Sequence, residues 1–570
     1  MGWQWTKNQE GRILMKIKRM THRLKLILLT IFIFFLFLFF IVILIIKFLN
    51  PYKVVIYNYE SYLEKEIITK IKKNYSYRVF KNLDEFTRDI KNKKAVAGVS
   101  SDYQIAQLIL EDKLKKINFK KAYNIDFNKQ NKKEKIYSLY SPEVIKQFEY
   151  YNNWIIDQIK KINPQNNKNQ TINGSIKPYL YYDKQDTKKI IGFEIDGDEG
   201  IDHFYEFLIP YFTLDKVIAY NPQEFDIYKK TRNSIKKNQS FDDIKNGISW
   251  FEALSKLTNK YNNPRIYWTN WFLDNAMIGQ FYQYSSGDLN QKNNHGNWVL
   301  FNKNNYKDSI DNFNKLVIDS TGKSIKDISR NKLVTDGQEL VSSIIEPSSK
   351  KADIAIMYNG DALDAYYGKD NFESLEEKNN ISFIRPNFTY ANIDAWIISK
   401  DTDQKSSDNL LSKLNEYIFS DIIKSEKEIE NTYINNVFQE IIKNLNNEEK
   451  KFKNKIFNSL FNSEKNAKNL NEIPVEFFEK NYDAFRNAFS YDNLPNIKNF
   501  DTINYTPSYK NIKNFLTKWY FLDNKKQPDL KAISIYDMQT AKNVEFRPYQ
   551  PLDLELKTKM IEYYYQKTKS

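Results

Sequence analysis

Residues 54–62, VVIYNYESY, end an apolar run in a carboxylate, Glu60, set among Tyr57, Tyr59 and Tyr62. Turns ordinarily draw on Gly, Asn, Asp or Pro, so tyrosines wrapped around an acid read as a place where something is held. With 40 Tyr in the chain, sheer abundance is the rival explanation. Other constellations that could do chemistry fail on spacing. His22, His203 and His295 lie far apart, without ligand or triad spacing. Gly322-Lys323-Ser324 ends like a phosphate loop, but Val317 stands where its first glycine belongs. Segment 196–206, DGDEGIDHFYE, alternates oxygen ligands without the register of a calcium loop, and reads as an acidic surface turn. There is no cysteine, which excludes thiol nucleophiles, disulfides, Cys-type metal sites and a cysteine-linked lipid anchor. Nothing resembles a nucleophile elbow or a dinucleotide fingerprint. A chain of this size without an enzymatic constellation is expected to bind rather than catalyse, with no cofactor and no metal.

The elements that would position such a site follow from hydrophobic patterning. Residues 26–46, LILLTIFIFFLFLFFIVILII, carry no charge, Gly or Pro. At 1.5 Å per residue the stretch is about 31 Å long, enough to cross a hydrocarbon core. Its length, and the Lys47-Phe48-Leu49-Asn50-Pro51 that follows, point to an uncleaved anchor rather than a signal peptide. Before it come Lys7, Arg12, Lys16, Lys18, Arg19, Arg23 and Lys25 against one acid, Glu10. That excess predicts a cytoplasmic tail, residues 1–25, and an extracellular domain, residues 52–570, held at the cell membrane. Residues 1–53 hold nine Lys and Arg against one acid, +8 of the formal +15, so the exterior portion is only mildly basic and gives no reason to expect nucleic acid.

The exterior portion alternates strand-like and helix-like segments, which predicts α/β architecture. Expected strands are 53–58, 77–80, 95–99, 190–195, 216–220, 353–358 and 393–398. Expected helices include 61–74, 83–92, 102–114, 142–162, 249–261, 271–283, 361–367, 406–424, 426–446 and 555–567. Segment 83–92 shows the helical spacing directly, with Leu83, Phe86 and Ile90 on one face. Polar stretches at 163–176, 284–296 and 367–380 read as surface loops.

Several segments, in order, resemble the spermidine/putrescine-binding proteins of ABC polyamine importers. They are Tyr57-Asn58-Tyr59-Glu60-Ser61-Tyr62, VSSDYQI at 99–105, IPYFTLDKVIAYN at 209–221, Ser249-Trp250, IAIMYNGDA at 354–362, Asn392-Ile393-Asp394-Ala395-Trp396, TINYTP at 502–507 and the terminal EYYYQK at 562–567. The resemblance covers most of 52–570, with insertions near 120–200, 284–340 and 410–495. It implies a two-lobed type II periplasmic-binding-protein fold that closes on a ligand and docks on ABC permease subunits.

A polyamine is a string of ammonium groups separated by methylenes. Each ammonium needs carboxylates or several acceptors, and each methylene needs apolar cover. Aromatic faces serve both. Carried over position by position, the resemblance implies walls of Tyr59, Tyr62, Tyr103, Tyr358 and Tyr505, with Trp271 beside them. It further implies acids at Asp394 and Asp274, a polar contact at Ser101 and an end contact at Gln550. The family's second Asp, three residues before Asp274, is Trp271 here, and its tryptophan two residues before the ligand Asp is Asn392. Glu60, Asp102 and Asp361 are acids the family pattern does not require, and each is a candidate to replace the missing one. Rival readings are the same fold with another solute, such as iron, thiamine or a sugar, and a surface adhesion or structural protein that reuses the fold.

Overall fold

The computed structural model describes residues 3–569 apart from 50–52, 82, 127–130, 173–174, 199, 233, 349–350 and 444–472. The end of the helix expected at 426–446 and the middle of the 410–495 insertion lie outside the described residues. The chain divides into two compact units, Met1–Val54 and Val55–Ser570. The first is one helix, Trp3–Leu49. Its Leu24–Lys47 stretch has a mean hydropathy of 3.5, and none of its residues is buried. A helical stretch that is apolar on every side has the length and composition to cross a membrane.

The second unit is mixed α/β. Its strands are β1 (Val55–Tyr59), β2 (Ser76–Phe80), β3 (Ala97–Ser101), β4 (Thr171–Ile172), β5 (Ser175–Ile176), β6 (Tyr179–Tyr182), β7 (Ile190–Glu194), β8 (Ile209–Tyr220), β9 (Ile266–Thr269), β10 (Asn331–Val334), β11 (Ile354–Tyr358), β12 (Ser382–Ile384), β13 (Phe388–Ile398), β14 (Thr506–Pro507) and β15 (Glu545–Pro548). β4–β5 and β6–β7 are separate hairpins. The main path runs β10-β9-β11-β8-β13-β3-β1-β2.

That order is one motif used twice. β1 lies between β2 and β3, all parallel, and β13 runs antiparallel beside β3. β9 lies between β10 and β11, all parallel, and β8 runs antiparallel beside β11. Each set, with its helices, is a lobe. β8 and β13 pass from one lobe to the other: residues 209–215 of β8 pair with β13, and residues 216–220 pair with β11. Every residue of β8 is buried, and only Phe388 at the start of β13 is not, so both strands read as near-continuous apolar runs, as centrally buried strands do.

Local sequence explains the elements around β1. Ile67 and Ile71 of helix Lys65–Asn74 are buried one turn apart, and Glu64 caps the helix by accepting from the Glu66 and Ile67 amides. Phe86 and Ile90 of helix Leu83–Lys91 are buried. Phe86 packs so closely on β3 that a Cβ at Gly98 would stand 2.7 Å from its ring and 2.6 Å from the Tyr57 carbonyl.

Each expected strand is present, with β8 and β13 extending well before 216 and 393. The expected helix 406–424 is Gln404–Leu414 followed by a wide π-type turn, Asn415–Phe419. β9, β10 and helix Tyr306–Thr321 had no counterpart in the patterning, yet all three belong to the second lobe, where that helix packs on helix Phe272–Ser285.

Candidate ligand-binding site

The ends of β1, β3 and β11 and the middles of β8 and β13 meet in a buried cluster of tyrosines and acids. Asp394 is its centre. Ser101 Oγ donates to it at 2.6 Å, Tyr62 Oη at 2.8 Å and Asn392 Nδ2 at 3.1 Å. The carboxylate is 4% exposed and has no cationic partner among the described residues. Burial pushes it up to about 6, against the pull of the Ser101, Tyr62 and Asn392 hydrogen bonds. Beside it, Asn392 Oδ1 finds no donor.

The backbone that aims these groups is irregular. β8 and β13 slip register at Asp394/Ala395, which face Phe212 and Pro210, so Tyr211 is the extra residue of a bulge. A bulge re-aims neighbouring side chains, and Pro210 has no amide to lose from the ladder. Tyr211 Oη donates to the Tyr62 carbonyl at 2.9 Å and accepts from Asn499 Nδ2 at 2.6 Å. Asn499 Oδ1 in turn holds the Glu64 amide at 2.9 Å. The turn after β1 is thus tied from below. It passes through Ser61 at φ 55°, a left-handed conformation that is uncommon without glycine.

Tyrosine rings enclose the carboxylate. Tyr59 and Tyr62 lie 5.2 Å apart, centroid to centroid, and Tyr62 and Tyr505 also 5.2 Å. Tyr59 Oη is 3.3 Å from Ser101 Oγ. Tyr505 donates to Asp361 at 2.5 Å. Its ring lies on the first turn of helix Asn359–Tyr366, where a Cβ at Gly360 would come within 2.4 Å of it. Gly360 is therefore what lets Tyr505 reach the site.

A second acid, Asp274, stands on helix Phe272–Ser285 and is fully buried. Tyr549 Oη donates to it at 2.7 Å, and Tyr549 stacks on Tyr103 at 5.3 Å. Tyr358 Oη meets Tyr549 Oη at 3.1 Å. Lys216, from the middle of β8, pairs with Asp274 at 3.0 Å. Its Nζ donates to Thr269 Oγ1 at 3.0 Å and sits 3.4 Å from the centroid of the Tyr358 ring. Burial lowers the Lys216 ammonium, while Asp274, Asp361 and Asp215 raise it. Its neighbour Asp215 is neutralised separately, by Arg385 Nε at 2.7 Å and Nη2 at 3.1 Å.

The structure thus brings together Tyr59, Tyr62, Ser101, Tyr103, Asp274, Tyr358, Asp394 and Tyr505, and adds Asp361. It places three other expected residues elsewhere. Glu60 faces solvent and pairs with Lys81 at 3.0 Å. Trp271 packs at a tilt against Phe272, just before the helix. Gln550 holds the Phe301 backbone, accepting from its amide at 2.6 Å and donating to its carbonyl at 2.9 Å. Asp102 is a strand clamp: it accepts from the Ile393 and Tyr103 amides, both at 2.8 Å, and from Tyr151 Oη at 3.0 Å. Lys216, Asn392 and Tyr549 join the site unforeseen, and so does Tyr390, whose ring lies 5.0 Å from that of Tyr549. The Asp215-Lys216 pair inside an otherwise apolar run was a visible signal, because buried charges are rare unless paired. Tyr549 is one residue from Gln550 and follows the end of β15 at Pro548, where no strand period tells which of the two side chains turns to the cluster.

The 196–206 segment is less solvated than a surface turn. Glu194 and Asp202 are buried, and their carboxylates lie with that of Asp196 within 4.8 Å of one another. Lys116 Nζ enters the group, 2.5 Å from Asp202 and 2.6 Å from Asp198.

No family model and no curated protein matches the chain. Among solved structures it is similar to a putative spermidine/putrescine ABC transporter protein from Listeria monocytogenes, at 13% identity and a TM-score of 0.42, covering 90% of this chain and 98% of that one. It is similar to the spermidine/putrescine ABC transporter substrate-binding protein PotD from Streptococcus pneumoniae, at 14% identity and a TM-score of 0.38, with the same coverage. It is also similar to a Thermotoga lettingae solute-binding protein bound with α-D-tagatose, at 10% identity, a TM-score of 0.37, and 66% and 79% coverage. Nothing about ligand passes from those proteins to this chain at such identities. Two α/β sets of like strand order, joined by the crossing strands β8 and β13, make up the second unit.

Proposed function

We propose that this chain is the solute-binding component of an ABC importer, holding a small organic cation of the polyamine class between its lobes. The observation that carries the reading is Asp394: a buried carboxylate with hydrogen-bond donors, no counter-ion among the described residues and tyrosine rings on its sides. An ammonium group completes it. Burying an unpaired charge is costly, and a charge-assisted hydrogen bond contributes about 1.5–3 kcal/mol. The rings of Tyr59, Tyr62 and Tyr505 would attract the cation, by about 0.5–2 kcal/mol per face, and cover its methylenes at about 0.8 kcal/mol each. Asn392 Oδ1 is a further acceptor within the same group.

The site draws on both lobes, so ligand would favour the closed arrangement by its differential contacts with it. The closed form is the one read by the permease subunits. The helix Trp3–Leu49 would hold the receptor beside that permease as a single-pass anchor, N-terminus cytoplasmic and binding domain extracellular. The reading involves no chemical step.

The test is a calorimetric screen of the full chain in nanodiscs against putrescine, cadaverine, spermidine and D-tagatose. Saturable binding of an amine and none of the sugar is expected. Binding of tagatose with no heat from any amine would replace this reading with a neutral-solute one.

A further inference from the structure

Resting on that reading, we propose that Lys216 is a built-in ammonium that fills one cationic position of the site and thereby selects a diamine over a triamine. Lys216 Nζ has what an amine ligand would need: a carboxylate at 3.0 Å, a hydroxyl at 3.0 Å and an aromatic face at 3.4 Å. It is fully buried, and so is Asp274. Asp274 Oδ2 has Lys216 as its charge partner without a hydrogen bond between them, and a second cation at this position would leave one positive charge unpaired.

Among the described residues, three carboxylates line the cluster besides Asp102 and Asp215: Asp274, Asp361 and Asp394. Lys216 compensates one of them. Asp215 is outside the count because Arg385 binds it through two nitrogens. Asp102 is outside it because its oxygens face two backbone amides and Tyr151. Two negative charges remain, at Asp361 and Asp394, one on either side of the Tyr505 ring: Tyr505 donates to Asp361, and its ring packs on Tyr62, which donates to Asp394. A ligand with two ammonium groups balances them. A ligand with three would bring one into the tyrosine cluster with no carboxylate to meet it. Within the amine class, the chain's own lysine thus sets ligand charge.

The experiment is calorimetry of the full chain at pH 7.5 with putrescine, spermidine and n-butylamine, on wild type, Lys216→Met and the double variant Lys216→Met/Asp274→Asn. Wild type is expected to favour putrescine over spermidine by at least tenfold. Lys216→Met leaves three unpaired carboxylates and should reverse the order. The double variant has nearly the volume of Lys216→Met but two carboxylates again, and should restore the putrescine preference, which separates charge from room. An unchanged putrescine/spermidine ratio in Lys216→Met, or a reversed ratio in the double variant, overturns the inference while the amine-binding function stands. No amine bound by wild type or either variant removes the function itself. If Lys216→Met does not fold, Asp274→Asn carries the same test. It should weaken putrescine at least tenfold and leave n-butylamine within about threefold, and equal losses for both overturn the inference.

Discussion

Asp394→Asn should make the ligand-free protein more stable at neutral pH and unable to bind well. Burial raises the Asp394 carboxyl to about 6, against 3.8 for the free side chain. A difference of roughly two units corresponds to about 3 kcal/mol between the protonation states. Because the folded value is the higher one, the folded state holds the proton more firmly than the unfolded state. The contribution therefore favours folding below about pH 4 and is lost as pH rises through 6. At pH 7.5 wild type folds with an ionised, unpaired carboxylate, and asparagine removes that penalty while keeping the shape. Tyr62 and Ser101 are hydroxyls and can reorient to the amide. The expected gain is up to about 3 kcal/mol at pH 7.5, falling to about 1 kcal/mol at pH 4.5 and towards zero only below the free carboxyl value of 3.8. The assay is urea unfolding of the full chain at both pH values, paired with putrescine titration. Binding should weaken at least tenfold, equal to about 1.4 kcal/mol. A variant equally destabilised at both pH values would refute the reasoning, because Asp394 would then be an ordinary structural acid.

Other outcomes follow from the same geometry. Gly360→Ala places a methyl 2.4 Å from the Tyr505 ring, so it should cost about 1–3 kcal/mol in stability and weaken amine binding with it; unchanged binding in calorimetry would show that Tyr505 is not a wall. Glu60→Gln should leave affinity within about twofold, since an exposed pair such as Glu60–Lys81 contributes about 0–1 kcal/mol; a tenfold loss would return Glu60 to the site. Arg385→Met leaves Asp215 buried and unpaired between the lobes, and should lower unfolding free energy by about 3–5 kcal/mol; thermal melts that match wild type would show that the pair is dispensable.

The fold was largely legible because its central strands are apolar runs with polar ends. Val54-Val55-Ile56, Ala95-Val96-Ala97 and Ile354-Ala355-Ile356 announce themselves by period and composition. β9 and β10 did not, because each is four residues long and reads Ile-Tyr-Trp-Thr or Asn-Lys-Leu-Val, patterns that only tertiary pairing makes into strands. In the site, Tyr59, Tyr62, Tyr103, Asp394 and Tyr505 lie in or beside short segments of fixed local shape, so their positions carried over. Glu60 did not, because Ser61 takes a positive φ and turns Tyr62 inward while Glu60 stays outside. For the acid that the resemblance leaves missing at Trp271, the sequence offers only extra carboxylates. The geometry instead changes the charge balance from the other side, with a lysine in the middle of β8, and pairing across 58 residues of sequence leaves no local trace.

Whether a small amine binds at Asp394 decides the function of this chain. The most direct measurement is calorimetric titration of the full chain with putrescine at pH 7.5, run beside Asp394→Asn. One site per chain, weakened at least tenfold in the variant, is the predicted result. No binding by wild type, or equal affinity in the two proteins, would contradict it.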